Sequence, residues 1–255
     1  MKPTFLKYDK PILTAMLQAD NPKRVEKLME MARLGGAEAF GMQFCRMKEE
    51  YRTEEIYRHL MSLAAPYPTY VTNYRQGYNE GRDDSELAQG LLTLARCGAT
   101  LCDVMGDMFG RQPDEMAKDS GAIAKQMQLI DELHALGAEV IMSSHVCKFT
   151  PAERVLEIAL EQQRRGADIC KIVLGASSMA EQIENLRIID MLKSKLEIPF
   201  LILSSGNCRI LRRIGGELGC CMYLCVAEHD EFSTATQPLL KDVKKIRDIL
   251  SEENK

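Results

Sequence analysis

A lysine and a histidine lie on two successive apolar segments of this 255-residue sequence. Lys171 stands within residues 169–173, where apolar neighbours on both sides are typical of a strand buried on both faces. Burial lowers the pKa of a lysine, and a neutral amine can attack a ketone to form an imine. Taken alone, the segment also fits a strand-end lysine whose ammonium extends to solvent.

His145 follows the preceding apolar segment, which predicts a strand over residues 139–144. Neighbouring strands of a sheet are roughly 5 Å apart, so the side chains of His145 and Lys171 can converge on one substrate atom. An imidazole beside an amine can shuttle the protons of imine and carbanion chemistry. His145 alone also fits a structural loop histidine, but its pairing with Lys171 favours catalysis.

The elements that position these residues alternate along the whole chain. Short apolar runs alternate with helical patterns, giving eight predicted strands that are each followed by a helix. The predicted elements include strands over residues 12–17 and 101–105 and helices over residues 49–64 and 208–218. In a chain of about 250 residues this predicts a single-domain (β/α)8 TIM barrel. We expect one domain over residues 1–255, a short N-terminal lead-in and a barrel over about residues 11–250. A doubly wound open sheet is the alternative, although no GxGxxG motif follows the first strand.

The composition is that of an ordinary soluble globular protein, with 45% hydrophobic residues, 27% charged residues and a net charge of −4. This charge argues against nucleic acid and anionic membranes as partners. No apolar run approaches the length of a bilayer span, and the N-terminus lacks the apolar core of a signal peptide. Nine cysteines without a CxxC pair predict a reducing cytoplasm, and four scattered histidines predict no metal site.

Several segments carry a resemblance to a known family. They are the histidine segment, residues 140–145, with Thr150-Pro151 behind it, and the lysine segment, residues 166–173. Further matches are Gly206 and Arg213 with Gly216-Glu217, and the pair Ser233 and Gln237 after the eighth strand. Together they resemble type I 3-dehydroquinate dehydratase, the Schiff-base enzyme of the shikimate pathway and aromatic amino acid biosynthesis. The resemblance covers most of residues 11–250.

The resemblance implies a role for each of these residues. Lys171 would form the imine with the substrate ketone, and His145 would move the protons. Arg213 would hold the substrate carboxylate, while Ser233 and Gln237 would belong to the loop that covers the substrate. No cofactor is implied, because the lysine itself supplies the electrophilic chemistry. The family resemblance also suggests a homodimer.

Three further positions match the family's supporting residues. Arg75 resembles the arginine that closes the third strand, and Glu80 resembles the glutamate that orients the histidine. The spacing before Glu80 is one residue longer than the family pattern. Asp103 matches an acidic residue at the end of the fourth strand.

The second strand departs from the family. Gly41, Gln43 and Cys45 stand where the family carries the glutamate, arginine and aspartate of an E-W-R-x-D motif that contacts substrate hydroxyls. A site built to hydrogen-bond hydroxyls loses discrimination sharply when those groups are removed. We therefore expect the imine chemistry to be retained. The part of the site that contacts substrate hydroxyls in the family would differ here, and Gln43 would face the substrate there. The substrate would then be another cyclic or branched keto acid.

Three functions remain open from the sequence. The first is a lyase that dehydrates 3-dehydroquinate to 3-dehydroshikimate through a Lys171 imine. The second is a related imine-forming lyase, or aldolase, that acts on a different keto-carboxylate. The third is a catalytically silent barrel that binds a small molecule. The retained set of His145, Lys171, Arg213, Ser233 and Gln237 favours an enzyme.

Overall fold

A computed structural model describes residues 3–207 and 209–252 of the chain. Its strands are β1 (Ile12–Leu17), β2 (Ala39–Gln43), β3 (Thr69–Thr72), β4 (Leu101–Met105), β5 (Glu139–His145), β6 (Ile169–Gly175), β7 (Phe200–Ser205) and β8 (Met222–Cys225). Its helices are α1 (Pro22–Leu34), α2 (Glu54–Ala64), α3 (Asp84–Arg96), α4 (Ser120–Ala135), α5 (Ala152–Arg164), α6 (Met179–Lys195), α7 (Leu211–Leu218) and α8 (Leu240–Glu252). Within these described ranges, no helix is both long and apolar enough to cross a bilayer.

The strands form one parallel sheet that curls on itself. They pair in the order β7-β6-β5-β4-β3-β2-β1-β8, and each strand is followed by a helix. The two outer strands approach where the Cys221 amide, just before β8, donates to the Phe200 carbonyl at 2.9 Å. The predicted (β/α)8 barrel is therefore confirmed, as a nearly closed barrel.

Polar capping residues set where several helices begin. Asn21 accepts a hydrogen bond from the Arg24 amide at the start of α1. Asp83 forms a capping box with Glu86 at the start of α3. The continuous helix predicted over residues 49–64 is wrong at its start. A 3-10 turn occupies Glu49–Tyr51, and α2 begins after its own cap, Thr53.

The register between β5 and β6 sets the geometry of the site. Ser143 pairs with Lys171, and His145 pairs with Val173 one step nearer the C-terminal end. Because side chains alternate along a strand, these four residues share the face that lines the barrel interior. His145 thus lies on the strand beside Lys171, displaced toward the end of the barrel where chemistry occurs in this fold.

Candidate active site

A cavity of about 630 Å³ opens at the C-terminal ends of the strands. Each of the eight strands supplies a lining side chain: Met16, Gln43, Tyr70, Met105, His145, Lys171, Leu203 and Leu224. The loops that follow the strands supply the rest of the wall. A pocket of this size, lined by apolar side chains and convergent polar groups, fits a small-molecule site.

Lys171 lies at the base of this cavity and is only 3% exposed. Its Nζ donates to the hydroxyl of Tyr70 at 2.9 Å, to the hydroxyl of Tyr74 at 2.7 Å and to Oδ2 of Asp103 at 3.1 Å. Three acceptors therefore take the three N–H donors of an ammonium group. The position explains how a lysine is tolerated on a buried strand, since its charge has a carboxylate partner.

The Asp103 carboxylate joins this cluster together. It accepts hydrogen bonds from Tyr70 and Tyr74, and from Oγ of Ser143 at 2.5 Å. Burial acts to raise the pKa of Asp103, but the Lys171 charge and these donors hold it below its usual value. Burial and the Asp103 charge raise the pKa values of both tyrosines well above the ordinary range. The cluster is thus an ammonium–carboxylate pair bridged by two neutral phenols.

His145 is held by a glutamate from another loop. Its Nδ1 lies 3.0 Å from Oε2 of Glu115, and its backbone amide donates to the same oxygen at 2.5 Å. The His145 ring also packs edge-on against Tyr74, with 5.1 Å between the ring centroids. Burial acts to raise the pKa of Glu115, but the hydrogen bond and charge of His145 hold it below its usual value. With Nδ1 bound to a carboxylate, Nε2 is the ring nitrogen left for substrate.

The loop that carries Glu115 is fixed from outside the cavity. Arg165, at the end of α5 and 3% exposed, donates to the carbonyls of Gly106 and Ala117 at 3.1 and 2.7 Å. Ser144 donates its Oγ to the Glu115 carbonyl at 2.9 Å. These bonds hold Glu115 in a left-handed backbone conformation, with φ of 47°. The loop is therefore a rigid support for His145.

The structure corrects the prediction that Glu80 orients His145. Glu80 is exposed and lies outside the cavity that Lys171 and His145 line. Glu115 takes that position because the loop after β4 folds over the end of β5.

The predicted carboxylate anchor is also displaced by one residue. Arg213 is exposed and does not line the cavity, whereas Arg212 lines it and is 6% exposed. Among the described residues, the guanidinium of Arg212 makes one hydrogen bond, from Nε to the Ser204 carbonyl at 2.8 Å. Burial without an anionic partner lowers its pKa to about 10. Arg212 therefore faces the cavity as a buried cation without a carboxylate.

The loop after β8 places one of its two predicted residues at the cavity. Gln237 lines the wall, and its buried Oε1 has no hydrogen-bond partner among the described residues. The prediction for Ser233 is not supported, since its Oγ donates back to the Asp230 carbonyl within the loop. The next residue, Thr234, lines the cavity. Gln18 holds Thr234 in place, since it accepts a hydrogen bond from the Thr234 amide at 2.7 Å and donates one to Thr234 Oγ1 at 2.9 Å.

Arg75 and Gln43 both line the cavity, but each already has partners. Arg75 binds both carboxylate oxygens of Asp84, at 2.6 and 2.7 Å, and Oδ1 of Asp107 at 2.7 Å. Gln43 accepts from Nε2 of Gln18 at 2.7 Å. Arg75 is therefore held by carboxylates, and the Gln43 amide oxygen is held by Gln18.

The space beside Gly41 is filled by a methionine. A Cβ built at Gly41 would lie 2.2 Å from Sδ of Met16 and 3.2 Å from Cδ1 of Tyr70. The Met16 thioether from β1 therefore occupies the place where the resemblance predicts a glutamate. This part of the wall is apolar, whereas Gln43 at the end of β2 is polar.

Sequence reasoning missed Tyr70, Tyr74, Ser143, Glu115 and Arg212. Tyr70 and Ser143 had a signal, because strand alternation places them on the same interior face as the lysine and the histidine. Glu115 had none, because its position depends on the fold of a long loop.

Comparison with known proteins identifies the family. A model of the type I 3-dehydroquinase family matches residues 69–254, more than half of the chain. The 3-dehydroquinate dehydratase of Geobacillus thermodenitrificans is 26% identical over 224 residues, covering 78% of this chain and 85% of that protein. The enzyme of Clostridium kluyveri is 30% identical over 92 residues, covering 35% of this chain and 36% of that protein.

Solved structures support the fold independently. The 3-dehydroquinate dehydratase of Geobacillus kaustophilus aligns with a TM-score of 0.82 at 17% identity, covering 97% of this chain and 93% of that one. The type I enzyme of Clostridium difficile, solved with covalently modified comenic acid, aligns with a TM-score of 0.81 at 16% identity, covering 97% and 95%. The chain belongs to the type I 3-dehydroquinase family.

Proposed function

We propose that this protein is an imine-forming hydro-lyase, in which Lys171 condenses with the ketone of a hydroxy keto-carboxylate. One observation carries the proposal: a buried lysine and a carboxylate-bound histidine line the same cavity from adjacent strands. The reference reaction is that of the named relatives, in which 3-dehydroquinate loses water. The Clostridium difficile relative, solved with covalently modified comenic acid, supports a covalent step.

The first step frees the lysine. Tyr74 accepts a hydrogen bond from Nζ of Lys171 and donates to Asp103, so it can pass one proton from the ammonium to the carboxylate. Entry of substrate favours this transfer, because expelling water disfavours a separated ammonium and carboxylate. The neutral amine then attacks the ketone carbon. The ketone oxygen takes one proton from the attacking amine and the proton held by Asp103, and it leaves as water, which gives a protonated imine on Lys171.

The second step uses His145. Its Nε2 removes a proton from the carbon next to the imine, and the electron pair moves to the imine nitrogen. The imidazolium, stabilised by Glu115, then protonates the hydroxyl on the next carbon, which departs as a second water molecule. A further water molecule hydrolyses the imine and releases the unsaturated ketone. Lys171 leaves this step as the ammonium and pairs again with Asp103.

Two groups would hold the substrate during these steps. Arg212 presents a buried cation to the cavity, which suits the substrate carboxylate. Gln237, with its unpartnered Oε1, would close over the bound molecule from the loop after β8. Expulsion of water by this loop would protect the imine from early hydrolysis.

The test is reductive trapping. The protein is incubated with 3-dehydroquinate and sodium borohydride, its intact mass is measured, and the adduct is located by peptide mapping. We expect an adduct on Lys171 that is lost in Lys171→Met. The matched control is Lys148→Met, which changes an exposed lysine outside the cavity and should leave trapping intact.

A folded protein in which Lys171 traps neither 3-dehydroquinate nor any other keto acid would contradict the imine proposal and favour the silent barrel. A Lys171 adduct with other keto acids but not with 3-dehydroquinate would leave the chemistry intact with a different substrate. Product analysis then separates loss of water from carbon–carbon cleavage, the aldolase alternative.

We also propose a cytoplasmic homodimer. All eight described cysteines are free thiols and seven are buried, which fits a protein kept in a reducing compartment. Light scattering tests the assembly, since a dimer doubles the chain mass of 28.7 kDa.

A further inference from the structure

The charged groups that line the cavity fall into two sets. In the first set each cation has a carboxylate: Lys171 has Asp103, His145 has Glu115, and Arg75 has Asp84 and Asp107. Each of these cations is therefore already paired, and the second carboxylate on Arg75 leaves this set with an excess of negative charge.

The second set consists of three arginines without an ion pair among the described residues: Arg46, Arg111 and Arg212. Arg46 makes one hydrogen bond, from Nε to Gln43 at 3.3 Å, and Arg212 makes one, to a backbone carbonyl. Arg111 lies in the field of Asp84, but both oxygens of that carboxylate already bind Arg75. These three arginines therefore lack a carboxylate partner of their own: Arg212 is buried, Arg46 is half-buried and Arg111 is exposed.

These three arginines lie on two sides of the barrel mouth. Arg212 follows β7, the neighbour of the strand that carries Lys171. Arg46 follows β2 and Arg111 lies in the loop after β4. In an eight-stranded barrel β3 lies across from β7, so these two arginines flank the opposite side.

Among the described residues, the wall that joins the two sides through β8 and β1 is uncharged. It is lined by Leu224, Met16, Thr234, Thr236 and Gln237. A ligand that spans this wall would meet cations at its two ends.

We propose that the substrate is a keto acid with a second anionic group, a carboxylate or a phosphate. Arg212 binds the carboxylate beside the ketone, and Arg46 and Arg111 bind the second anion across the cavity. This inference rests on the proposed imine function. Anion binding by guanidinium groups is bidentate and charge-assisted, so the second group adds affinity and fixes the ketone against Lys171.

The test compares two probes of equal length. 2-Oxoglutarate and 2-oxopentanoate differ only in the terminal carboxylate, and 4-phosphono-2-oxobutanoate replaces that carboxylate with a phosphonate. Borohydride trapping on Lys171 is measured against probe concentration. We expect half-maximal trapping by a dianionic probe at a concentration at least about tenfold lower than for 2-oxopentanoate. The tighter of the two dianions identifies the second group as carboxylate or phosphate.

Two variants locate the effect. In Arg46→Gln/Arg111→Gln the preference for the dianions should fall to about twofold or less, while trapping by 2-oxopentanoate is unchanged. Arg213→Gln is the matched control, because Arg213 is an exposed arginine outside the cavity. It should keep the full preference.

The comparison of the three probes on the wild-type protein does not depend on whether any variant folds. Equal trapping of the mono- and dianionic probes would overturn the second anion and leave the imine function standing. Absence of trapping with all three probes and with 3-dehydroquinate would overturn both proposals. A preference for the dianions that survives in the double variant would overturn the assignment to Arg46 and Arg111.

Discussion

The cluster around Lys171 and the arginines around the cavity mouth differ in whether their charges have partners. In the cluster, Asp103 accepts from three side chains besides the lysine, and Tyr70 and Tyr74 bridge the pair. At the mouth, Arg212 is equally buried but has no carboxylate. The difference separates two tasks. The first region holds reacting groups in place before substrate arrives, and the second gains its partners only from the substrate.

The comparison predicts opposite effects on stability. Removing a member of the cluster should leave a buried charge unpaired, which is costly. Removing a cation from the mouth should remove a charge that already lacks a partner, so the folded protein should gain stability.

Asp103→Asn should give the largest loss of stability. The substitution leaves the Lys171 ammonium buried without its counter-ion, and breaking such a pair costs about 3–5 kcal/mol. Urea denaturation measures the change. Glu54→Gln is the control, since its ion pair with Arg58 is exposed and should be worth less than about 0.5 kcal/mol.

A second variant checks the cause. Lys171→Met/Asp103→Asn removes both charges and should be more stable than Asp103→Asn alone. If the double variant were the less stable of the two, the cost would come from lost packing and not from an unpaired charge.

Glu115→Gln should lower kcat by about 10²-fold, because the amide cannot stabilise the imidazolium of His145. Since Glu115 acts through His145, KM should change much less than kcat. Glu80→Gln should leave both values near those of the wild type. Steady-state kinetics on whichever keto acid is turned over provides the measurement, and a larger effect at Glu80 would return the orienting role to that residue.

Acid should weaken the cluster in a defined direction. The pKa of Asp103 is lower in the folded protein than its ordinary value of about 3.9, so its stabilisation is complete above that value. It is lost as the pH falls toward the folded pKa, by up to about 1.4 kcal/mol per pH unit. Urea titrations between pH 5 and 3 should show a shallower slope in Asp103→Asn than in the wild type; equal slopes would contradict the assignment.

Arg212→Gln should give the smallest effect and the opposite sign. Removing a buried cation without a partner should stabilise the ligand-free protein by about 1 kcal/mol, while weakening the binding of keto acids. Arg213→Gln should change stability by less than about 0.5 kcal/mol. Thermal and urea unfolding measure both, and a destabilised Arg212→Gln would show that the arginine has a structural role.

The barrel was predictable because its strands are nearly continuous apolar runs. The bounds predicted for β1 and β4 agree with the structure, and Lys171 and His145 lie where strand counting placed them. Their pairing needed only the order of two neighbouring strands.

The rest of the site depends on tertiary contacts. Glu115 reaches His145 because Arg165 and Ser144 hold a loop whose path has no sequence period. The anchor arginine was predicted as Arg213 from its match to the family segment. Adjacent residues of a helix point about 100° apart, so only the packing of α7 (Leu211–Leu218) shows that Arg212 faces the cavity. The predicted helix start at residue 208 lies outside the described residues.

The packing beside Gly41 also constrains how this protein can evolve. A side chain introduced at position 41 would displace the Met16 thioether, since a Cβ built there would lie 2.2 Å from its Sδ. Methionine is unbranched and flexible, so this thioether can move to another rotamer. Substitutions at positions 16 and 41 should therefore be coupled in their effects on stability, because one side chain sets the space that is left for the other.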